Sequence, residues 1–446
     1  MIIKERQKMS PKTPLLVLVI IFASFSFSLS RNHMGPFSLS PHNQAYNLHG
    51  QYGNHKSHYN GLMTRQSRAS SPSSSPQVFN VDDFGAKADG RDDSQAFNKA
   101  WKRACSSKEG VVLVPKNKVY HLKPIKFSGP CRSYVTMRIS GVIKASPRQS
   151  DYEKDRLHWI QFENVQNLRV EGGGTIDGNG RKWWRNSCKI NDSLPCKHAP
   201  TAVTFLECNN LVVANLRFKN AQQMHLIIQK CVNVKAMNLR VIAPGNSPNT
   251  DGIHVTESQN IQIMNSVIRT GDDCISIVSG SKNVRATDIT CGPGHGISIG
   301  SLGADNSEAV VSNVMVNRAT FSGTTNGVRI KTWQGGSGYA KNIIFQNISM
   351  RNVSNPIIID QNYCDQDEAC HEQGSAVQIS NVIYSNIKGT SDSKVAVKFD
   401  CSRTFPCKGI SLQNVDFAPE DDGESIEASC ENVWLNKIGR VSPKCT

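Results

Sequence analysis

After Val111-Val-Leu-Val-Pro the chain settles into one repeated phrase, an Asn followed by apolar and polar residues in alternation. It recurs as Asn167-Leu-Arg-Val, Asn210-Leu-Val-Val, Asn233-Val-Lys-Ala, Asn260-Ile-Gln-Ile, Asn283-Val-Arg-Ala, Asn313-Val-Met-Val, Asn342-Ile-Ile-Phe and Asn381-Val-Ile-Tyr. Alternation with period two puts every second side chain on the same face of a strand. The intervals between these Asn residues are 43, 23, 27, 23, 30, 29 and 39; the short ones agree and the longer ones carry inserted loops. Strands joined by a turn Asn at this period predict an all-β fold, a right-handed single-stranded parallel β-helix rather than a sandwich. In such a solenoid one coil takes roughly 20–30 residues and lies about 4.8 Å from the next. Stacked Asn side chains then hydrogen-bond from coil to coil, so these residues are read as structural.

A solenoid exposes apolar strand edges at its ends and needs a cap. Ala96, Phe97, Ala100, Trp101 and Ala104 recur at helical spacing behind Asp93 and Ser94, either of which suits an N-cap, so a short capping helix is expected over the first coil. Gly172-Gly-Gly-Thr-Ile-Asp-Gly-Asn-Gly has no following Lys-Ser/Thr and opens no helical pattern, so it reads as tight turns and not as a phosphate cradle. Trp183 and Trp184 fit either a sugar-stacking rim or core packing.

The pattern fails before residue 79. Lys4, Arg6, Lys8 and Lys12 precede an apolar run from Leu15 to Phe27, too short to span a bilayer comfortably, so residues 1–30 read as a secretory signal peptide cut near Ser28–Ser30, with a signal anchor as the alternative. Residues 31–78 are rich in Ser, His, Asn, Gly and Pro and lack acids; they predict a disordered or removable pro-segment, and the irregular spacing of its five His argues against metal binding. Residues 79–446 remain as one catalytic domain, since a solenoid grows by adding coils without adding a core. The total charge of +15 falls to +8 once the +3 of residues 1–30 and the +4 of residues 31–78 are removed. A basic domain suits a polyanion, and secretion favours an acidic polysaccharide over nucleic acid. Fourteen Cys, an even count without paired C-x-x-C spacing, predict disulfides and not zinc. The sequons at Asn191, Asn347 and Asn352 permit N-glycosylation.

Against this frame one stretch concentrates chemistry: Asn249-Thr-Asp-Gly-Ile-His, Gly271-Asp-Asp-Cys and Gly294-His-Gly. Asp272 lies 21 residues after Asp251, and His295 lies 22 after Asp273, about one coil each. Three carboxylates and an imidazole are thereby expected to stack on one face. Arg329 and Lys331, at i and i+2 in Gly-Val-Arg-Ile-Lys, point to one side of the next strand. A site that cuts a glycosidic bond in an acidic polymer needs a protonated acid for the leaving oxygen, an ionised carboxylate for water, and positive charge to hold the substrate. Like-charge repulsion among three acids raises at least one pKa, and the residues alone do not say which.

These blocks, Asn249-Thr-Asp-Gly, Gly271-Asp-Asp, Gly294-His-Gly and Arg329-Ile-Lys, resemble in order and interval the four signature blocks of the polygalacturonases, glycoside hydrolase family 28. The resemblance runs from about Phe79 to the C-terminus, starts like the plant enzymes at Asp83-Phe-Gly-Ala-Lys-Ala-Asp-Gly, and is nearest the cell-separation group (abscission, dehiscence, pollen-tetrad release). It implies that Asp272 donates the proton, that Asp251 and Asp273 orient and deprotonate water with inversion, and that His295 supports the acid. It further implies that Asn249, Arg329, Lys331 and Tyr363 bind substrate. His254 is expected to be scaffold. A bridge Cys274–Cys291 is implied by the same resemblance, and short local bridges Cys364–Cys370, Cys401–Cys407 and Cys430–Cys445 are expected. The implied protein is a secreted, cell-wall, monomeric hydrolase of pectin, endo-acting, without cofactor or metal and with no nucleic-acid or membrane partner in its mature form. An exo-acting galacturonan hydrolase, a calcium-dependent lyase and a non-cutting pectin binder are the alternatives.

Overall fold

The computed structural model describes residues 75–365, 370–371, 373–421 and 425–445. The expected leader, residues 1–30, and residues 31–74 of the polar segment lie outside the described residues. The described chain is a right-handed parallel β-helix. One face is an 11-stranded sheet that runs in chain order from Ile125–Ser128 to Glu427–Glu431, and the remaining strands join in an 18-stranded sheet. Both sheets are built from parallel pairings between coils.

Register along the 11-stranded sheet follows from the hydrophobic alternation. Phe127, Phe162, Phe205, Ile228, Val255, Ile277, Ile299, Ile330, Ile359 and Phe399 form one inward column, each paired to the next. All are buried, and each contributes roughly 1.5–3 kcal/mol of apolar transfer. Successive Phe127, Phe162 and Phe205 rings sit 5.1 Å apart. A one-residue slip would turn this whole column to solvent, so the register is strongly specified.

The cap is where the periodicity placed it. The helix Ser94–Cys105 buries Ala96, Phe97, Ala100, Trp101 and Ala104, and Trp101 Nε1 donates to the Ser128 carbonyl at 3.1 Å. Asp93 precedes the helix without a side-chain cap bond. Its carboxylate instead accepts from the Lys87 amide at 2.8 Å and the His121 amide at 3.4 Å, tying the entry loop to the first coil. Trp183 is core: it is buried and meets Tyr152 edge-on at 5.2 Å. Among the described residues no helix is long and apolar enough to cross a membrane.

All eight repeat Asn residues form a continuous ladder of seven bonds, each Nδ2 from Asn210 onwards donating to the Oδ1 one coil earlier at 2.9–3.3 Å. Each holds a left-handed φ between 55° and 60°, a conformation that Asn tolerates better than other non-Gly residues. A second set that the sequence reading missed joins Asn238 to Asn215, Asn347 to Asn317, Asn386 to Asn347 and Asn414 to Asn386.

Among the described residues six disulfides close the structure: the four expected pairs together with Cys105–Cys131 and Cys188–Cys196. The even Cys count overstated the pairing, because Cys208 and Cys231 are buried and unbridged. Their sulfurs lie against the Leu206 and Gln229 carbonyls at 3.5 and 3.2 Å. In the next coil Ser258 fills the same turn position, with Oγ 2.8 Å from the Thr256 carbonyl. These two thiols therefore serve as small turn-filling side chains.

The ladder yields a stability test. Asn260→Ala removes two ladder bonds and leaves a Cβ-bearing residue at φ +58°; a loss of about 1–3 kcal/mol is expected in urea unfolding. Asn260→Gly loses the same bonds without the backbone strain and should fall less. Equal losses would show that strain does not contribute.

Candidate active site

The expected site residues converge on the 11-stranded face and on the turns that lead into it. Ile253 pairs with Ile275, and Ile275 with Ile297. Asp251, Asp273 and His295 each stand two residues before those Ile, so all three occupy one column on three successive coils. Backbone bonds carry the ladder into the turns: Gly252 N–H donates to the Asp273 carbonyl at 2.9 Å and Cys274 N–H to the Gly296 carbonyl at 2.7 Å. The disulfide Cys274–Cys291 closes the loop after the Asp pair. Two glycines permit the close approach of neighbouring turns. A Cβ on Gly271 would lie 2.0 Å from the Ser247 carbonyl oxygen, and one on Gly296, at φ +84°, would lie 2.1 Å from that of Asn326.

The three carboxylates have different surroundings. Asp273 is enclosed, its side chain 3% exposed, and it is fully engaged. Ser298 Oγ donates to its Oδ1 at 2.7 Å, Arg329 Nη2 to the same oxygen at 3.1 Å, and Lys331 Nζ to Oδ2 at 3.3 Å. Arg329 also donates through Nε to Ser298 Oγ at 3.2 Å. Both cations are therefore ion-paired in the unliganded site, and they already supply to this carboxylate the charge that a divalent ion would bring.

Asp272 projects towards a more open side. Its Oδ1 accepts from its neighbour's amide, Asp273 N–H, at 2.7 Å and lies 3.1 Å from His295 Nδ1. Asn249 Nδ2 donates to its Oδ2 at 3.3 Å. Burial works to raise its pKa, but the His295 hydrogen bond and charge, the Asp273 amide and Lys331 outweigh it and hold the carboxyl below the usual range. The same bond raises the His295 pKa against the opposing effect of burial.

Asp251 contrasts with both. It is buried beside two other carboxylates, and its pKa is pushed well above the ordinary carboxylate value, first by burial and then by repulsion from Asp272 and Asp273. Ser276 Oγ donates to its Oδ2 at 2.8 Å. Asp251 is the member of the acidic triad with no cation in direct contact, so its surroundings raise its affinity for a proton where those of Asp272 lower it.

Tyr363 pairs in register with Trp333. The rings meet edge-on at 5.3 Å, and Lys331 Nζ sits 5.3 Å from the Tyr363 ring centre. Burial raises the Tyr363 hydroxyl to about 12. The reading of residues passed over Ser276, Ser298 and His225. His225 is wholly buried, with Nδ1 at 3.0 Å from the Asp251 carbonyl and Nε2 accepting from the Ala221 amide at 3.3 Å. Burial lowers its pKa to about 4, so it is a neutral Nδ1–H tautomer that fastens the turn carrying Asp251. His254, expected to be scaffold, lies with Nδ1 2.8 Å from Ser276 Oγ.

A groove of about 780 Å³ runs along the 18-stranded sheet and contains none of these residues. Its acids are neutralised locally, Asp288 by Arg318 at 2.7 Å and Asp416 by Arg440 at 3.1 Å. It offers shape without acid–base chemistry.

A parallel β-helix that stacks three carboxylates and an imidazole beside an Arg and a Lys defines a carboxylate-based glycoside hydrolase. The model of glycosyl hydrolases family 28 matches residues 105–441, and the chain belongs to that family. It is 63% identical over 402 residues to "Polygalacturonase QRT2" of Arabidopsis thaliana, covering 89% of this chain and 91% of the relative. It is 54% identical over 444 residues to "Polygalacturonase-2" of Solanum lycopersicum, covering 98% and 96%. Among solved structures it resembles the polygalacturonase of Erwinia carotovora ssp. carotovora, with TM-score 0.68 and 23% identity over 83% of this chain and all (100%) of that one. The endo-xylogalacturonan hydrolase of Aspergillus tubingensis gives TM-score 0.69 and 25% identity over 81% and 100%.

The His295–Asp272 contact is directly measurable. An NMR titration should place the His295 pKa above that of a free imidazole, and Asp272→Asn, which removes the facing charge, should lower it. An unchanged value would mean that the two side chains do not interact in solution.

Proposed function

We propose that this protein is a secreted polygalacturonase that hydrolyses α-1,4-galacturonosyl linkages of homogalacturonan, endo-acting and inverting, in the loosening or separation of plant cell walls. The observation that carries the reading is the convergence of Arg329 and Lys331 on Asp273, next to Asp251 and Asp272. A neutral polysaccharide would need no such cations. A galacturonate carboxylate entering the site competes with Asp273 for them, and Arg329 offers it a bidentate fork. Relatives named polygalacturonase over nearly the whole chain support the same substrate.

In the proposed roles Asp272 is the proton donor, with its proton stored on His295. The two share one hydrogen bond, and an anionic, water-displacing sugar beside Asp272 raises its proton affinity, which moves the proton from imidazolium to carboxyl. Asp251 and Asp273 hold and deprotonate the water. Nearest donor atoms of Asp272, Asp273 and His295 lie within 4.8 Å of one another, below the ~6.5–9.5 Å usual for opposed inverting carboxylates. In this reading the water approaches from the edge of the acidic cluster, beside Asp251 and Asp273, and not from between two facing acids. Asn249, through its bond to Asp272, and Tyr363, against Lys331, complete the substrate contacts. Secretion through the leader at residues 1–30, loss of the polar segment to about residue 78, a cell-wall location and a monomeric state belong to the same proposal.

On de-esterified pectin the expected products are saturated reducing ends, the β-anomer first by NMR, with no absorbance near 235 nm and no loss of rate in chelator. An unsaturated product abolished by chelator would identify a lyase, and absence of any product a binder. Asp251→Asn, Asp272→Asn and Asp273→Asn should each lower kcat by about 100-fold or more. Arg329→Lys should chiefly raise KM. A large viscosity drop per reducing end would mark endo action.

The rate should follow a bell in pH. The His295–Asp272 pair holds its last proton below the raised His295 pKa and loses it as pH rises through that value, which sets the alkaline limb. His295→Gln leaves the donor without its reservoir and should move that limb to lower pH; an unmoved limb assigns it to another group.

A further inference from the structure

We infer that His254, through Ser276, is a positioning residue for Asp251, so that a His254–Ser276–Asp251 relay keeps this carboxylate ready to receive a proton from water. The inference rests on the proposed role of Asp251 and goes beyond it. His254, Ser276 and Ser298 occupy one outward column of the 11-stranded sheet, paired coil to coil. Ser276 Oγ lies 2.8 Å from Asp251 Oδ2 and 2.8 Å from His254 Nδ1.

A hydroxyl has one hydrogen. With that hydrogen donated to Asp251, Ser276 can only accept on its other side, so His254 must present Nδ1–H. The imidazole thereby removes the alternative rotamer of the hydroxyl and commits its hydrogen to the carboxylate. Burial favours the neutral imidazole that this arrangement requires, with a pKa lowered to about 4. The charged groups facing the relay are Asp272, Asp273 and Lys331 towards Asp251, and Asp273 and Lys331 towards His254. Beneath Asp251, the neutral His225 binds its backbone carbonyl and not its carboxylate.

The neighbouring coil repeats the device with a different terminal group. Ser298 Oγ donates to Asp273 Oδ1 and accepts from Arg329 Nε. A permanent cation ends that relay and a neutral donor ends the other. Asp273 is therefore paired directly with two cations, whereas Asp251 receives a hydrogen bond with no cation in contact. Of the two water-binding carboxylates, Asp251 is the one equipped to change protonation during turnover. The step balances with water and the acid already assigned: one water O–H breaks and its proton passes to Asp251, the hydroxide oxygen bonds the anomeric carbon as the glycosidic C–O bond breaks, and the leaving oxygen takes the proton of Asp272.

Two measurements test the relay separately from the overall reaction. In the substrate-free protein, the ¹⁵N shifts of the His254 ring between pH 5 and 7 should report a neutral imidazole protonated on Nδ1; protonation on Nε2 would overturn the relay whatever the enzyme cleaves. With polygalacturonate, Ser276→Ala and His254→Phe should each reduce kcat by about tenfold, well short of the ~100-fold or more for losing a base outright. KM should stay nearly constant and the acid limb of the pH profile should move to higher pH, because Asp251 loses the bond that favours its ionised form. Ser276→Thr, which keeps the hydroxyl, should restore the profile, and the double variant should be no worse than either single one. An acid limb that stays fixed while kcat falls would reduce the two residues to packing and overturn the proposal. A wild-type chain inert on polygalacturonate would count against the proposed function, while the ring tautomer would still decide the relay.

Discussion

The backbone hydrogen bond between successive coils is the constraint on which the site depends. It sets neighbouring strands about 4.8 Å apart and, together with the inward apolar column, forbids a slip of one residue. Asp251, Asp273 and His295 have no local tendency to approach one another, and two of them carry like charges. They meet because Ile253, Ile275 and Ile297 are held in register beneath them. The free energy that compresses the acids comes from the core of the whole solenoid, in which no single coil is stable alone.

The compressed charges are then differentiated by what the following coils present. Arg329 and Lys331 arrive on the strand Asn326–Trp333 and neutralise Asp273. His295 takes the open side of Asp272, and Asp251 receives only a hydroxyl. Three chemically identical groups thereby become a carboxylate paired with two cations, a partner for an imidazole and a carboxyl of raised proton affinity. Separating carboxylates by environment is how one side-chain type performs both acid and base work at one pH.

Much of this was legible in the residues. The Asn phrase predicted the coils, the ladder and the structural role of its members, because a left-handed turn position and a stacking amide both select Asn. Intervals of 21 and 22 residues placed the acids and the imidazole together. Less legible were the groups that bind the acids from the next strand. A signal was present in Gly252-Ile-His-Val, Cys274-Ile-Ser-Ile and Gly296-Ile-Ser-Ile, where His254, Ser276 and Ser298 follow one another at 22 residues. It is the same interval as that of the acids, carried by residues whose ordinary reading is a polar strand face. The ion pairing of both cations with Asp273 depended on side-chain reach across two coils, which spacing does not encode. Parity of the Cys count failed for Cys208 and Cys231 because a buried thiol can fill a turn as Ser258 does one coil later.

The direct test of the account is a crystal structure of the Asp272→Asn protein with a short galacturonate oligomer. The oligomer should lie across the 11-stranded face, with one sugar carboxylate within hydrogen-bonding distance of Arg329 and Lys331 and a glycosidic oxygen beside residue 272. An oligomer seated instead in the groove of Arg318, Lys388 and Arg440 on the other sheet, with Asp273 still holding both cations, would contradict it.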